Sequence, residues 1–135
     1  MSKQYYQELI ELLDQSYAPY SGFNVASIIV CKNGDVFKGV NVESAAYPTT
    51  ICAERNAIHT AVTNGSKKGD VQAVYILARN DTGGLIRAFP CGSCRQVIAE
   101  QSGNDAIVYC YNELGEVAEH SIAELLPHAF LGDEL

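Results

Sequence analysis

The chain has no tryptophan, one methionine and four prolines among its 135 residues. It is also short of positive charge. Nine lysines and arginines stand against sixteen aspartates and glutamates, for a formal net charge of −7. Nucleic-acid binding requires Lys and Arg to neutralise phosphates, and the basic residues here are scattered apart from the pair Lys67-Lys68. This surface therefore predicts no nucleic-acid partner and suits a small neutral substrate. No run is long and apolar enough to span a bilayer. The opening Met1-Ser2-Lys3-Gln4-Tyr5-Tyr6 leads into an amphipathic pattern rather than an apolar leader. The expectation is a cytoplasmic protein with no membrane partner.

Balanced pairs of cysteines are lacking as well. Five is an odd count, and three of the five fall in motifs with metal-ligand spacing, which in a reducing compartment suggests metal binding or catalysis rather than disulfides. Cys31 and Cys110 lie within the apolar runs Ile28-Ile29-Val30-Cys31 and Ile107-Val108-Tyr109-Cys110 and read as core. With 47% apolar and 19% charged residues, composition is that of an ordinary globular protein. Residues 1–135 read as a single catalytic domain.

Element order follows from periodicity. Tyr6, Leu9, Ile10, Leu13 and Tyr17 recur at helical spacing, and Ala18-Pro19-Tyr20-Ser21-Gly22 ends that helix. Residues 23–31 and 36–42 are strand-like, joined across Lys32-Asn33-Gly34-Asp35, where Asn-Gly between apolar runs signals a hairpin. A second helix runs from about Cys52 to Val62, and residues 73–78 form a third strand. Residues 80–84 read as a loop, and a third helix starts at Cys91-Gly92-Ser93-Cys94. Residues 106–111 and 116–119 give the last two strands, separated by a turn too tight for a parallel crossover. Ser121-Ile122-Ala123-Glu124 has capping-box spacing. The expected fold class is α/β, three layers in the order α-β-α, around a five-stranded mixed sheet with an antiparallel last hairpin.

Chemistry concentrates in Cys52-Ala53-Glu54 and Pro90-Cys91-Gly92-Ser93-Cys94. Three thiolates fill three corners of a tetrahedral zinc site and leave the fourth for water, whose ionisation near neutral pH makes a nucleophile. Each cysteine motif falls at a helix start, where orphan N–H groups and the helix dipole favour thiolate. Structural zinc would need a fourth protein ligand. His59 lies two turns beyond Cys52, too far along the helix to supply it, and His120 and His128 read as surface or cap residues. Glu54 suits proton transfer beside the ligand set, although an acidic residue is also favourable in any first helical turn. By spacing alone, Arg55 serves equally as a neutraliser of thiolate charge or as a solvated helix residue. Asn41 and Glu43 stand at strand period, on one side, as a diol would require. Each alone reads as an ordinary strand-end polar residue, and Phe23 alone as core.

Together these motifs resemble the cytidine deaminase family, in its short form of free-nucleoside enzymes. The likeness runs from Tyr17-Ala18-Pro19-Tyr20-Ser21 to Leu125-Leu126-Pro127-His128-Ala129-Phe130, with Gly39-Val40-Asn41-Val42-Glu43, Cys52-Ala53-Glu54-Arg55 and residues 90–97 as its most specific parts. The resemblance implies one Zn²⁺ per subunit on Cys52, Cys91 and Cys94, with Glu54 as proton shuttle. It further implies Asn41 and Glu43 on the ribose, Phe23 against the pyrimidine, the Ala53 backbone on the base, and Arg55 partly neutralising the thiolates. Phe130 would close a neighbouring subunit's site in a homotetramer with shared active sites. The implied activity is hydrolytic deamination of cytidine and 2′-deoxycytidine in pyrimidine salvage. A deaminase of a related cytosine nucleoside, such as a nucleoside antibiotic, is the alternative within the superfamily; a non-catalytic zinc-stabilised binding module is the alternative outside it. The chain departs from the family pattern twice. The segment 79–89 is longer than usual, and Phe89 stands before Pro90 where a small hydroxyl residue is commoner.

Overall fold

The computed structural model describes residues 2–135, with side chains from Tyr5 onward. Helix α1 (Ser2–Leu12) passes into a 3₁₀ turn at Leu13–Gln15 and is followed by strands β1 (Asn24–Cys31) and β2 (Val36–Val40). Helix α2 (Ala53–Thr63) leads to β3 (Val71–Arg79) and the two-residue β4 (Leu85–Ile86). Then come α3 (Gly92–Gln101), β5 (Ile107–Tyr111), β6 (Val117–Ser121) and α4 (Ile122–Leu125).

The strands form one mixed sheet in the order β2-β1-β3-β5-β6, with β4 paired to β3. Among the described strands only β3 and β5 pair in parallel, and α3 supplies the long connection between them. β5 and β6 pair antiparallel, Ile107 opposite Ser121 through Tyr111 opposite Val117, as their tight connection requires. Both sheet faces are covered. Leu9 and Leu13 of the first helical segment pack on Ala26, Ile28, Leu77 and Tyr111. On the other face, Ala57 and Ile58 of α2, Ile98 of α3 and Ile122 of α4 pack on Ile29, Val74, Ile76 and Val108. The result is the expected three-layer α-β-α architecture. The capping box also forms: Ser121 accepts from the Glu124 amide while the Glu124 side chain accepts from the Ser121 amide.

Two expectations are corrected. The sheet has six strands rather than five, because the segment expected to be a loop closes into a hairpin. The Asn80 carboxamide oxygen accepts from the Thr82 amide, the Thr82 hydroxyl and the Gly84 amide, and the Asn80 amide donates to the Gly84 carbonyl at 2.8 Å. Gly83 takes a φ of 90° at the turn. The returning chain pairs Ile86 with Ala78 and Leu85 with Arg79, past the end of the β3–β5 ladder at Ile76. The second correction concerns the first helix, which ends before Tyr17 despite that residue's helical spacing. Tyr17 is extended instead: its amide donates to the Asn41 carbonyl at 3.1 Å and its carbonyl accepts from the Glu43 amide at 2.8 Å. Backbone pairing with the chain leaving β2 outweighs the periodicity.

One glycine fixes how closely α2 lies on the sheet. A Cβ at Gly39 would fall 2.4 Å from the Ala57 nitrogen and 2.6 Å from the Ala53 oxygen. The first turns of α2 therefore rest directly on the β2 backbone, and Asn56 adds a 3.0 Å hydrogen bond to the Val40 carbonyl.

Candidate active site

Cys52 and Cys91 are the N-cap residues of α2 and α3, both with extended backbone and neither using its side chain to cap the helix. Their sulfurs are thus free to meet. Cys52 Sγ lies 3.9 Å from Cys91 Sγ, and Cys91 Sγ lies 3.5 Å from Cys94 Sγ. All three sulfurs fall within 4.8 Å of one another. Tetrahedral zinc with Zn–S bonds of about 2.3 Å holds its sulfurs about 3.8 Å apart, so the spacing suits that ion. All five cysteines are free, with Cys31 and Cys110 buried in the core as their apolar runs implied.

The electrostatics favour a cation at the same point. The Cys52 thiol is held down to about 5, first by a hydrogen bond from Cys94 and then, against the effect of burial, by Arg55. Cys94 is pushed up by that same hydrogen bond and by burial. Arg55 Nη2 donates to Cys52 Sγ at 3.4 Å, the contact that a role in offsetting thiolate charge would need. No histidine joins the cluster. His59 is exposed on α2, and His120 pairs with Glu124.

Glu54, in the first turn of α2, is 4% exposed. Burial, more than the neighbouring Cys52 charge, pushes its carboxyl up to about 7. A carboxyl poised there can accept and return a proton at neutral pH. Glu54 opens into a cavity of about 220 Å³ that also meets Cys52, Ala53, Cys91, Phe23 and Asn41. Ile76 of β3, Ala88 and Phe89 also line it.

The remaining residues are placed less uniformly. Asn41 is 8% exposed, and its carboxamide oxygen accepts from the Val25 amide at 2.9 Å and from the Ser16 hydroxyl. Its Nδ2 donates to the Phe23 carbonyl at 2.8 Å, leaving one N–H toward the cavity among the described contacts. Glu43 lines an adjoining hollow with Tyr20, Ser21 and Tyr47, and Thr50 belongs to both spaces. Its carboxylate accepts from the Tyr20 and Ser21 amides at 3.0 and 3.1 Å and from the Ser21 hydroxyl. The Ser21 hydroxyl, first among these, holds it below the usual carboxylate range. Phe130 is 53% exposed and does not line this chain's cavity; Gln96 Nε2 donates to its carbonyl at 2.6 Å.

Several contributors were not singled out from sequence. Ser16 and Ser21 orient Asn41 and Glu43, and Thr50 joins the two spaces. Arg95 Nε donates to the Pro90 carbonyl at 2.7 Å and Arg95 Nη1 to the Leu125 carbonyl at 2.9 Å, fixing the segment that delivers Cys91. Only the hairpin had a local signal, the Asx-turn composition of Asn80-Asp81-Thr82-Gly83-Gly84 before Leu85-Ile86.

Residues 1–111 match the model of the cytidine and deoxycytidylate deaminase zinc-binding region. The chain belongs to this deaminase family. It is 40% identical to a cytidine deaminase of Halalkalibacterium halodurans over 96% of this chain and 93% of that one. Its fold matches the crystal structure of a cytidine deaminase from Burkholderia pseudomallei with a TM-score of 0.83 and 35% identity, covering 92% of this chain and 94% of that one. A blasticidin-S deaminase of Bacillus cereus is 32% identical over 77% of this chain and 74% of that one. The family is a zinc-binding one, and in this chain Cys52, Cys91 and Cys94 form a cluster that could hold a metal ion.

Proposed function

We propose that the chain, acting over residues 1–135 as one catalytic domain, hydrolyses cytidine and 2′-deoxycytidine to uridine and 2′-deoxyuridine with release of ammonia. The observation that carries this reading is the three-sulfur cluster at zinc-like spacing together with the buried carboxyl of Glu54, with Cys52, Cys91 and Glu54 lining one cavity. Cys52, Cys91 and Cys94 would hold zinc, which when bound would supply Lewis acidity to lower the pKa of water. Arg55 offsets part of the thiolate charge, which would otherwise weaken that acidity. Glu54 takes the proton from the attacking water, passes it to the pyrimidine ring nitrogen, and carries a second to the departing amine.

The other side chains bind and orient. The Phe23 ring packs on the pyrimidine, and the Ala53 backbone meets the base. Asn41, through its remaining N–H, and Glu43, through its ionised carboxylate, take sugar hydroxyls. Phe130 completes a neighbouring subunit's cavity in a homotetramer. The scarcity of Lys and Arg suits a neutral nucleoside, and pyrimidine salvage in the cytoplasm is the setting such a reaction serves.

Similarity to a blasticidin-S deaminase supports a second reading, deamination of a nucleoside antibiotic. Chromatography of reactions with cytidine, 2′-deoxycytidine and blasticidin S separates the two. The first reading expects the uridines as products with kcat/KM at least tenfold higher than for blasticidin S. The reverse order would establish the second.

A further inference from the structure

Phe89 is a large apolar side chain left 47% exposed at the edge of the cavity. Its backbone is not free to withdraw. On one side, Arg87 donates to the Cys110 carbonyl at 3.0 Å and to the Glu116 carbonyl at 2.9 Å, and β4 pairs with β3. On the other, Pro90 is buried and its carbonyl is gripped by Arg95 at 2.7 Å. The ring is also supported. It meets the His120 ring edge-on, with centroids 5.6 Å apart and an interplanar angle of 69°, and His120 Nδ1 lies 3.5 Å from a Glu124 carboxylate oxygen. An aromatic ring buttressed in this way acts as a fixed wall.

The position of that wall has a chemical consequence. The reacting ring carbon must sit by the sulfur cluster, and Glu54, from α2, must reach the adjacent ring nitrogen. Phe89 lines the same cavity as Cys52, Glu54 and Cys91 and lies two residues before Cys91 in the chain, so its ring borders the space in which the reacting carbon and its exocyclic amine would sit. We propose that Phe89 is a specificity-determining residue that limits the bulk carried on the departing amine. His120 is a positioning residue that holds the ring in place.

This inference rests on the deaminase reading, and one substrate pair separates the two. Cytidine plus water gives uridine and ammonia; N4-methylcytidine plus water gives uridine and methylamine, so both reactions leave the same nucleoside product. With zinc-loaded protein, kcat/KM for each substrate is measured in the wild type, Phe89→Ser, Phe89→Leu and His120→Ala. A methyl group at a tight wall is worth about 10- to 200-fold in discrimination. The expected result is that Phe89→Ser raises the N4-methylcytidine to cytidine ratio at least tenfold. Phe89→Leu and His120→Ala should shift it less, in the same direction. Uridine affinity, measured by calorimetry, should change less than threefold in each variant, because the product carries no amine. A ratio unchanged within twofold in both Phe89 variants, while cytidine is still turned over, overturns the role of Phe89 and leaves the deaminase reading standing. A wild type inactive on both nucleosides overturns the deaminase reading itself.

Discussion

Glu54 is the residue on which the proposed chemistry turns. Its carboxyl is buried, and the sequence offered two readings for it: acid–base group or a carboxylate favoured by the helix N-terminus. Burial supports the first, since a residue serving only the helix dipole gains nothing from leaving water and incurs a desolvation cost. Glu54→Ala is expected to retain zinc, because the three sulfurs remain, and to lose about 10²- to 10⁴-fold in kcat. Zinc content by atomic absorption and turnover in the same preparation provide the check; near-normal kcat would remove Glu54 from the mechanism. Arg55 was undecidable from spacing, and its 3.4 Å contact with Cys52 Sγ supports the charge-offsetting reading. The supporting contacts of Ser16 and Ser21 were not legible at all. Each lies more than twenty residues from the carboxamide or carboxylate it orients, and nothing local marks such a pair.

At the scale of elements, the sulfur cluster is a meeting of two helix starts. α2 brings Cys52, Glu54 and Arg55, while α3 brings Cys91 at its N-cap and Cys94 in its first turn. Periodicity located both helices, the capping box and the last hairpin, because those signals are local. It missed β4, whose two residues are too few to show a period, and it overran the first helix at Tyr17, whose partners lie on the chain beyond β2. Gly39 is where element packing reaches the chemistry. A methyl group there has no room against the α2 backbone, so Gly39→Ala must push the helix that carries three site residues. The expected cost is about 1–3 kcal/mol, read as a fall of several degrees in melting temperature, with a larger proportional loss of kcat/KM than of folded protein. Unchanged melting and turnover would show that α2 does not sit on that backbone.

At the scale of the whole molecule, Phe130 and Phe89 are large exposed rings on a chain that is otherwise acidic at its surface. Phe89 stands at this chain's own cavity, whereas Phe130 does not. That division suits a tetramer in which each subunit lends its Phe130 to a neighbour. Light scattering is expected to give four chains per particle, and Phe130→Ala to raise KM for cytidine by tenfold or more. A monomer with full activity would remove the shared site. Two hydrogen bonds tie the tail bearing Phe130 to α3: Arg95 to the Leu125 carbonyl and Gln96 to the Phe130 carbonyl.

The most direct test of zinc-dependent deamination by the Cys52, Cys91, Cys94 and Glu54 site is the fall in cytidine ultraviolet absorbance, followed with ammonia release, before and after chelation. The account predicts one ammonia per cytidine lost by the zinc-loaded protein, no turnover after chelation, and recovery when zinc is restored. Turnover that persists in fully zinc-free protein, or a zinc-loaded protein that leaves cytidine untouched, would contradict it.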